Sequence, residues 1–155
     1  MRILIAVDQS PHSERAVRFV TRMRWPAGSR VIVASVLTPP LTPAVTGGGG
    51  GPPVMFDVSA EQSTEVQTLV ARAESELRAA GIATEIRLST GDPRDALLRL
   101  VDEERVDLVV MGSHGRTGFA KLLLGSVSSH VVTHPRCSVL VVKEDLHREA
   151  NHENQ

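Results

Sequence analysis

The sequence has few cysteines, no long apolar run and no charge excess of one sign, and each shortage excludes a class of protein. Cys137 is the one cysteine in 155 residues, which excludes an internal disulfide and favours a reducing compartment. No apolar run approaches the ~20 residues of a membrane-spanning helix. The 17 basic and 18 acidic residues are mixed along the chain, so neither nucleic acid nor an anionic membrane is indicated as a partner.

The first residues, MRILIAVD, resemble a strand followed by an acid rather than a signal peptide. We therefore expect a cytoplasmic protein. The length fits one domain, which is long enough to bury a hydrophobic core.

Strand and helix patterns alternate along the chain. Short apolar runs rich in β-branched residues predict strands at Ile3–Val7, Arg30–Leu37, Val106–Met111 and Ser138–Val142. Alternation in Ile82–Leu88 predicts a further strand, at an edge of the sheet rather than at its centre. Helical periodicity, N-cap residues and prolines predict helices from Pro11 to about Trp25, from about Ser59 to Ala80, after Asp92 and from Ser126 to before Pro135. This alternation predicts a parallel sheet with helices on both faces, and a ligand at the carboxyl ends of its strands.

Two segments are predicted to stand apart from this core. The stretch 38–57 contains five consecutive glycines, Gly47 to Gly51, flanked by prolines, and predicts a flexible surface loop rather than a lid. The polar tail, 144–155, is expected to fray. The domain itself is predicted to span residues 1–143.

The stretch from Val106 to Ser126, VDLVVMGSHGRTGFAKLLLGS, is the most informative part of the chain. It predicts a buried strand, a glycine-containing loop and then a helix with Ser126 as its N-cap. Glycines allow a ligand to approach backbone N–H groups, and a helix N-terminus favours an anion such as phosphate. The alternative is a tight turn without a ligand; the serine at the helix start favours the phosphate site.

The pattern Gly112-x2-Gly115-x9-Gly125-Ser126 resembles the nucleotide-binding signature of the universal stress protein family, in its ATP-binding branch. The segments ILIAVDQS, VVMGSHGR, LLLGSVSSHVV and CSVLVVK agree with it, so the resemblance extends from about Arg2 to Lys143. It implies a Rossmann-like α/β domain with a five-stranded parallel sheet of order 3-2-1-4-5. It also implies ATP as ligand, with Mg²⁺ held through the phosphates and through Asp8 as a candidate.

The resemblance and the motif together give ten candidate nucleotide-binding residues: Ala6, Asp8, Val36, Met111, Gly112, Gly115, Arg116, Gly125, Ser126 and Val127. Asp8 either contacts the ribose or a metal ion, or caps the following helix. Val36 matches the family position whose backbone binds adenine, and is equally a core valine. Met111 and Val127 pack against the nucleotide or only in the core. Arg116 either reaches phosphate or is a solvated surface arginine.

Other chemistries find little support in the sequence. There is no G-x-x-x-x-G-K-[ST] motif, and no G-x-G-x-x-G follows the first strand. His114, His130 and His134 lack accompanying metal-ligand patterns, and a Ser126–His114–Asp8 triad has no nucleophile-elbow motif. Cys137 is interpreted as a small buried hydrophobe.

The sequence therefore predicts an ATP-binding regulatory protein with at most slow hydrolysis, because nothing resembles a positioned general base. The alternative is an interaction module of the same fold that binds no nucleotide. A substrate-adenylating enzyme is a third and weaker hypothesis, since the chain shows no additional substrate-binding segment. The apolar last strand, 138–142, is expected at a sheet edge, where it would pair with a second copy in a homodimer.

Overall fold

The computed structural model describes residues 1–39, 59–115 and 124–143. Strands and helices alternate through them in the order β1 (Arg2–Ala6), α1 (Pro11–Arg22), β2 (Arg30–Leu37), α2 (Ala60–Ala79), β3 (Ala83–Thr90), α3 (Pro93–Glu103), β4 (Leu108–Gly112), α4 (Ser126–Thr133) and β5 (Ser138–Val142). The predicted bounds of β2 and β5 are confirmed. The predicted flexible loop, apart from Thr38 and Pro39, and the predicted polar tail lie outside the described residues.

All strand pairs in the sheet are parallel, and the strand order is β3-β2-β1-β4-β5, as predicted. The central strand, β1, pairs with β2 on one side and with β4 on the other. Ala6 stands opposite Ala34 and Met111 in these two pairings. The carboxyl ends of β1 and β4 therefore lie side by side at the point where the strand order reverses, which is where open parallel sheets bind ligands.

Alternating side chains of the central strands enter two hydrophobic layers. Ile3 and Ile5 pack on one face with residues of α1 and α2, whereas Leu4 packs on the other face with residues of α3 and α4. All three are fully buried. Burying an aliphatic side chain of this size stabilises the fold by about 1.5–3 kcal/mol, so the two layers hold the strand ends in a fixed position.

Three helices begin with side-chain caps, of which those of α1 and α3 were predicted. Ser10 caps α1, Ser59 caps α2 and Asp92 caps α3, and in each case the side chain accepts a hydrogen bond from a backbone N–H of the first turn. Helix α2 is followed by Gly81, whose φ of 77° is the left-handed conformation that glycine adopts most readily.

Several predicted boundaries are wrong by one to three residues. Strand β3 spans Ala83–Thr90 rather than Ile82–Leu88, and β4 spans Leu108–Gly112 rather than Val106–Met111. Strand β1 spans Arg2–Ala6 rather than Ile3–Val7. Helix α1 ends at Arg22 rather than at Trp25, because Met23 is already extended. The Trp25 indole N–H then folds back and donates at 3.0 Å to the Val20 carbonyl, which also accepts from the Met23 N–H at 3.3 Å.

None of the helices in the described part of the chain is both long and apolar enough to cross a membrane.

Candidate nucleotide site

A cavity of about 600 Å³ lies at the carboxyl ends of β1, β2 and β4. Nine of the ten candidate residues line it: Ala6, Asp8, Val36, Met111, Gly112, Gly115, Gly125, Ser126 and Val127. The tenth, Arg116, lies outside the described residues. Residues predicted from four separate stretches of the chain are thus brought together by the strand order, and this grouping was not visible in any one motif.

The cap of α1 is Ser10 rather than Asp8, and Asp8 supports this cap from outside the helix. Its Oδ1 accepts hydrogen bonds from the Ser10 N–H at 3.0 Å and from the Ser10 hydroxyl. The Asp8 N–H in turn donates to the Ser13 hydroxyl at 3.0 Å, and the Ser13 N–H donates to Ser10 Oγ at 3.2 Å. The start of α1 is therefore closed by its own side chains. The second carboxylate oxygen, Oδ2, faces Gly115, so the ligand-binding alternative for Asp8 stays open.

Gly112 is needed for the packing of α1. A Cβ at this position would lie 2.6 Å from the backbone carbonyl carbon of His12, a distance that real Cβ atoms do not show. The sequence suggested that this glycine lets a ligand approach the backbone. The structure adds a second reason, which is that α1 passes directly against the end of β4.

Gly115 leaves space between the glycine loop and Asp8. A Cβ on Gly115 would lie 2.9 Å from Asp8 Oδ2. Any side chain here would either displace the carboxylate or occupy the gap between the two. Glycine at this position therefore keeps the carboxylate accessible from the cavity.

The predicted N-cap of α4 is wrong by one residue. Gly125 is the N-cap, with φ −70° and ψ 167°, and Ser126 is the first residue of the helix. Among the residues that the structure describes, no side chain caps the first turn, since glycine has none to offer. The N–H groups of a first helical turn have no partner within their own helix. The N-terminus of α4 therefore opens on the cavity without a side-chain cap.

The position of Gly125 is fixed by hydrogen bonds to the end of β4. The carbonyl of Ser113 accepts from the Gly125 N–H at 2.8 Å and from the buried Ser128 hydroxyl at 2.7 Å. The Ser128 hydroxyl also lies 3.1 Å from the Gly125 carbonyl. These bonds hold the start of α4 against the end of β4, although the intervening residues 116–123 are not among those described.

The other side of the cavity is mostly apolar. Val36, Met111 and Val127 belong to it, as predicted, and all three also pack against or within the hydrophobic layer of α3 and α4. Both interpretations of these residues are therefore compatible with the structure. Further lining residues that the sequence did not indicate are Leu37, Thr38, Pro93 and Leu97.

One wall of the cavity was not predicted from the sequence. It consists of the first turns of α2, with Gln62, Glu65, Val66 and Leu69 on one face. These residues follow the spacing i, i+3, i+4, i+7, and the polar pair Gln62 and Glu65 continues the apolar side of the helix formed by Val66 and Leu69 towards the helix start. Polar residues on the apolar side of a helix are the sequence signal from which this wall of the cavity could have been predicted. Across the cavity mouth, the Gln9 amide donates to Glu65 Oε2 at 2.9 Å.

Histidines lie near the cavity but do not form a metal cluster within the described ranges. No group of three or more potential metal-ligating side chains occurs there. His130 and His134 stack on each other with 4.0 Å between ring centroids. His114 Nδ1 lies 3.1 Å from Ser113 Oγ, and the His12 ring lies 5.2 Å from that of His114. Asp8 Oδ1 is engaged by Ser10, so the geometry offers no positive support for a Ser126–His114–Asp8 triad.

Cys137 is partly buried beside the layer of α3 and α4. Burial raises the pKa of its thiol above the ordinary value, because the thiolate is poorly solvated there. This agrees with the interpretation of Cys137 as an unreactive apolar side chain.

A parallel sheet whose strand order reverses at a cavity defines a doubly wound α/β protein of the kind that binds ligands at the carboxyl ends of its strands. Residues 1–143 match the Universal stress protein family. A universal stress protein of Thermus aquaticus, from the QAH/OAS sulfhydrylase 3′ region, is 32% identical over 142 residues, which are 91% of this chain and 97% of the relative. The chain belongs to the universal stress protein family.

Other relatives match over shorter stretches. The universal stress protein Sll1388 of Synechocystis is 36% identical over 83 residues, or 54% of each chain. The matched stretch thus spans about half the length of this curated relative.

Solved structures of the family share the fold. A universal stress protein in complex with cAMP superposes with a TM-score of 0.67 at 26% identity, covering 92% of this chain and 96% of the other. The universal stress protein from Archaeoglobus fulgidus in complex with dAMP gives a TM-score of 0.61 at 25% identity, covering 92% and 98%. Both of those proteins were crystallised with an adenine nucleotide.

Proposed function

We propose that this protein is a regulatory universal stress protein that binds ATP with Mg²⁺ at the carboxyl edge of its sheet. The observation that carries the proposal is the cavity itself, which gathers nine of the ten candidate residues around an uncapped helix N-terminus. The cAMP and dAMP complexes of the two structural neighbours support an adenine nucleotide as the ligand. The triphosphate form is our extension from the glycine pattern.

Different regions of the cavity lining suit the adenine ring and the phosphates of a nucleotide. The apolar side, with Val36 and Met111, would hold the adenine ring, and the backbone at the end of β2 would hydrogen-bond its edge. The N-terminus of α4 would bind phosphate through the N–H groups of Ser126 and Val127 and through the positive end of the helix dipole. The Ser126 hydroxyl, at the cavity wall, is a further phosphate ligand in this proposal.

The residues present also fit a magnesium ion. Mg²⁺ prefers carboxylate, phosphate and water oxygens, and Asp8 Oδ2 faces the glycine loop where phosphates would lie. The ion would neutralise phosphate charge and would be held mainly by the nucleotide, with Asp8 as a candidate contact. Among the described residues, Asp8 and Glu65 are the carboxylates of the cavity, and each accepts a hydrogen bond from a neighbouring residue.

We also propose that hydrolysis is slow, because no motif of a positioned general base accompanies the glycine pattern. A general base must reach the attacking water with a free lone pair and a suitable pKa. Regulation would then depend on whether the site is occupied, through the differential affinity of ATP for two states of the protein or of its complexes.

The first experiment is mass spectrometry of the small molecules released when the purified protein is denatured, followed by calorimetric titration of nucleotide-free protein with Mg-ATP. We expect adenine nucleotide near one per chain, or a saturable titration of that stoichiometry. A protein that carries no nucleotide and also gives no heat with Mg-ATP would contradict the proposal.

The second candidate function is an interaction module that acts through its dimer surface without nucleotide. The favouring observation is β5, an edge strand in the described sheet whose residues from Val139 to Val142 are only partly buried. We propose that this edge, residues 138–142, pairs with a second copy in a homodimer, since an apolar edge strand offers unpaired backbone groups. Light scattering at micromolar concentration is expected to give twice the chain mass; a monomer mass would contradict it.

A further inference from the structure

The starting observation is an unsatisfied buried oxygen. Oε1 of Gln62 is buried and, within the described ranges, has no hydrogen-bond partner. Buried polar atoms in folded proteins are nearly always paired, because an unpaired one loses its hydration without replacement. An exception therefore requires a reason.

The local sequence offers Gln62 a partner that it does not use. Ser59 is the N-cap of α2 and Gln62 stands three residues later, which is the spacing of a capping box. Half of that motif is present, since Ser59 Oγ accepts from the Gln62 N–H at 3.2 Å. In the complete motif the glutamine side chain would turn back to the Ser59 N–H. Here its oxygen stays unpaired and the residue lines the cavity instead.

The cavity adjoins a second and more polar one of about 540 Å³, and Gln62 lines both. The two also share Gln9, Glu65 and Gly115, so they form one continuous cleft. Gln62 and Glu65 lie on the same face of α2. The Gln9–Glu65 hydrogen bond holds this face of α2 close to the turn that follows β1.

We propose that Gln62 is a specificity-determining residue, whose amide oxygen accepts a hydrogen bond from a donor group of the bound nucleotide. This inference rests on the proposed nucleotide function. Two donors of ATP have the required chemistry, the 6-amino group of adenine and a hydroxyl of the ribose. A site built to accept from a substrate donor discriminates against analogues that lack it, because the acceptor is then left buried and unpaired.

The test compares Gln62→Leu with wild type by calorimetry, using Mg-ATP, Mg-dATP, 3′-deoxy-ATP and the triphosphate of purine riboside, which lacks the 6-amino group. We expect wild type to bind one of the three analogues about fivefold to tenfold more weakly than ATP, and Gln62→Leu to lose that preference. The analogue whose disadvantage disappears identifies the donor. Gln67→Leu is the matched control, since Gln67 is exposed on the same helix and outside both cavities.

Gln62→Met serves as a second variant of similar length, in case leucine disturbs the start of α2. Equal nucleotide preferences in wild type, Gln62→Leu and Gln62→Met would overturn the role of Gln62 while leaving nucleotide binding intact. Failure of wild type to bind any of the four nucleotides would instead overturn the proposed function, and this inference with it.

Discussion

The N-termini of α1 and α4 both reach the cavity, but they are capped differently. At α1 the Ser10 hydroxyl accepts from the first turn and Asp8 accepts from Ser10, so the side chains close the helix and place a carboxylate beside it. At α4 the N-cap is Gly125, and no side chain in the described part of the chain caps the first turn. An anion is repelled at the first end and attracted at the second. Both helices follow strands that lie side by side, but this difference indicates that the phosphates would bind at α4 rather than at α1.

Filling the gap between Gly115 and Asp8 should have the largest effect on ATP affinity. In Gly115→Val the new side chain would overlap Asp8 Oδ2 and fill the space between loop and carboxylate. We expect the Kd for Mg-ATP to rise by about 100-fold, since an overlap of this kind costs about 1–3 kcal/mol. Calorimetry measures the affinity, and circular dichroism checks that the fold is kept.

Gly28→Ala is the control for this variant. Gly28 precedes β2 at the opposite edge of the sheet and has a φ of 77°, so alanine strains the backbone without approaching the cavity. It should lower stability and leave ATP affinity alone. Unchanged affinity in Gly115→Val would contradict the assignment of the site.

Placing a charge at the open helix end should separate stability from binding. In Ser126→Asp a carboxylate in the first turn of α4 interacts favourably with the helix dipole and would stabilise the fold by about 0.3–1 kcal/mol. The same charge repels phosphate, so we expect about tenfold weaker ATP binding or more. Ser126→Asn, which is neutral and similar in shape, is the control. The melting temperature of Ser126→Asp should therefore rise, whereas its affinity for ATP, measured by calorimetry, should fall. Tighter ATP binding in this variant would be incompatible with a phosphate site at α4.

Opening the closed helix end should mainly cost stability. Ser10→Ala removes the cap of α1 and leaves Asp8 Oδ1 without its hydroxyl partner, and we expect the free energy of unfolding to fall by about 1–2 kcal/mol. Ser59→Ala removes only the exposed cap of α2 and should have the smaller effect of the two. Urea denaturation of both variants measures this. Equal losses would show that the bond between Ser10 and Asp8 adds nothing to the cap itself.

The smallest expected effect concerns Asp92, which caps α3 near the same cavity. Hydrogen bonds from the Arg94 side chain and backbone N–H lower the pKa of Asp92 from 3.8 to about 2. Since the folded pKa lies below the ordinary value, the charge of Asp92 stabilises the protein above pH 3.8, and this contribution is lost as the pH falls towards 2. The stability difference between wild type and Asp92→Asn should therefore be constant above about pH 4 and shrink below it. A difference that grows on acidification would have the wrong sign.

The sequence predicted most of the fold because its signals were local and mutually consistent. Strands β2 and β5 are short apolar runs between clear turn residues, and the caps of α1 and α3 are each followed by proline. The start of α4 was misplaced because glycine and serine are both accepted at an N-cap, so Gly125-Ser126 fits two registers one residue apart. Hydrogen bonding to the Ser113 carbonyl, a contact distant in sequence, decides between them.

The candidate site was less predictable where it depends on contacts between elements. The glycine motif led to one wall, but the wall formed by α2 follows from how that helix packs on β2 and β3. The close approach of His12 to Gly112 is also a tertiary fact, which no pattern around either residue indicates. Gln62 was missed for a different reason, since its spacing from Ser59 suggests an ordinary capping box.

The Ser113 carbonyl, which holds Gly125 and Ser128, has a consequence for how such a protein can change over evolution. It joins the end of β4 directly to the start of α4, on either side of segment 114–124. Doubling the length of a loop whose ends are held together costs only about 0.6 kcal/mol in closure entropy. Insertions, deletions and substitutions in this segment should therefore lower the free energy of unfolding only slightly. Ligand preference and scaffold stability can be selected almost independently.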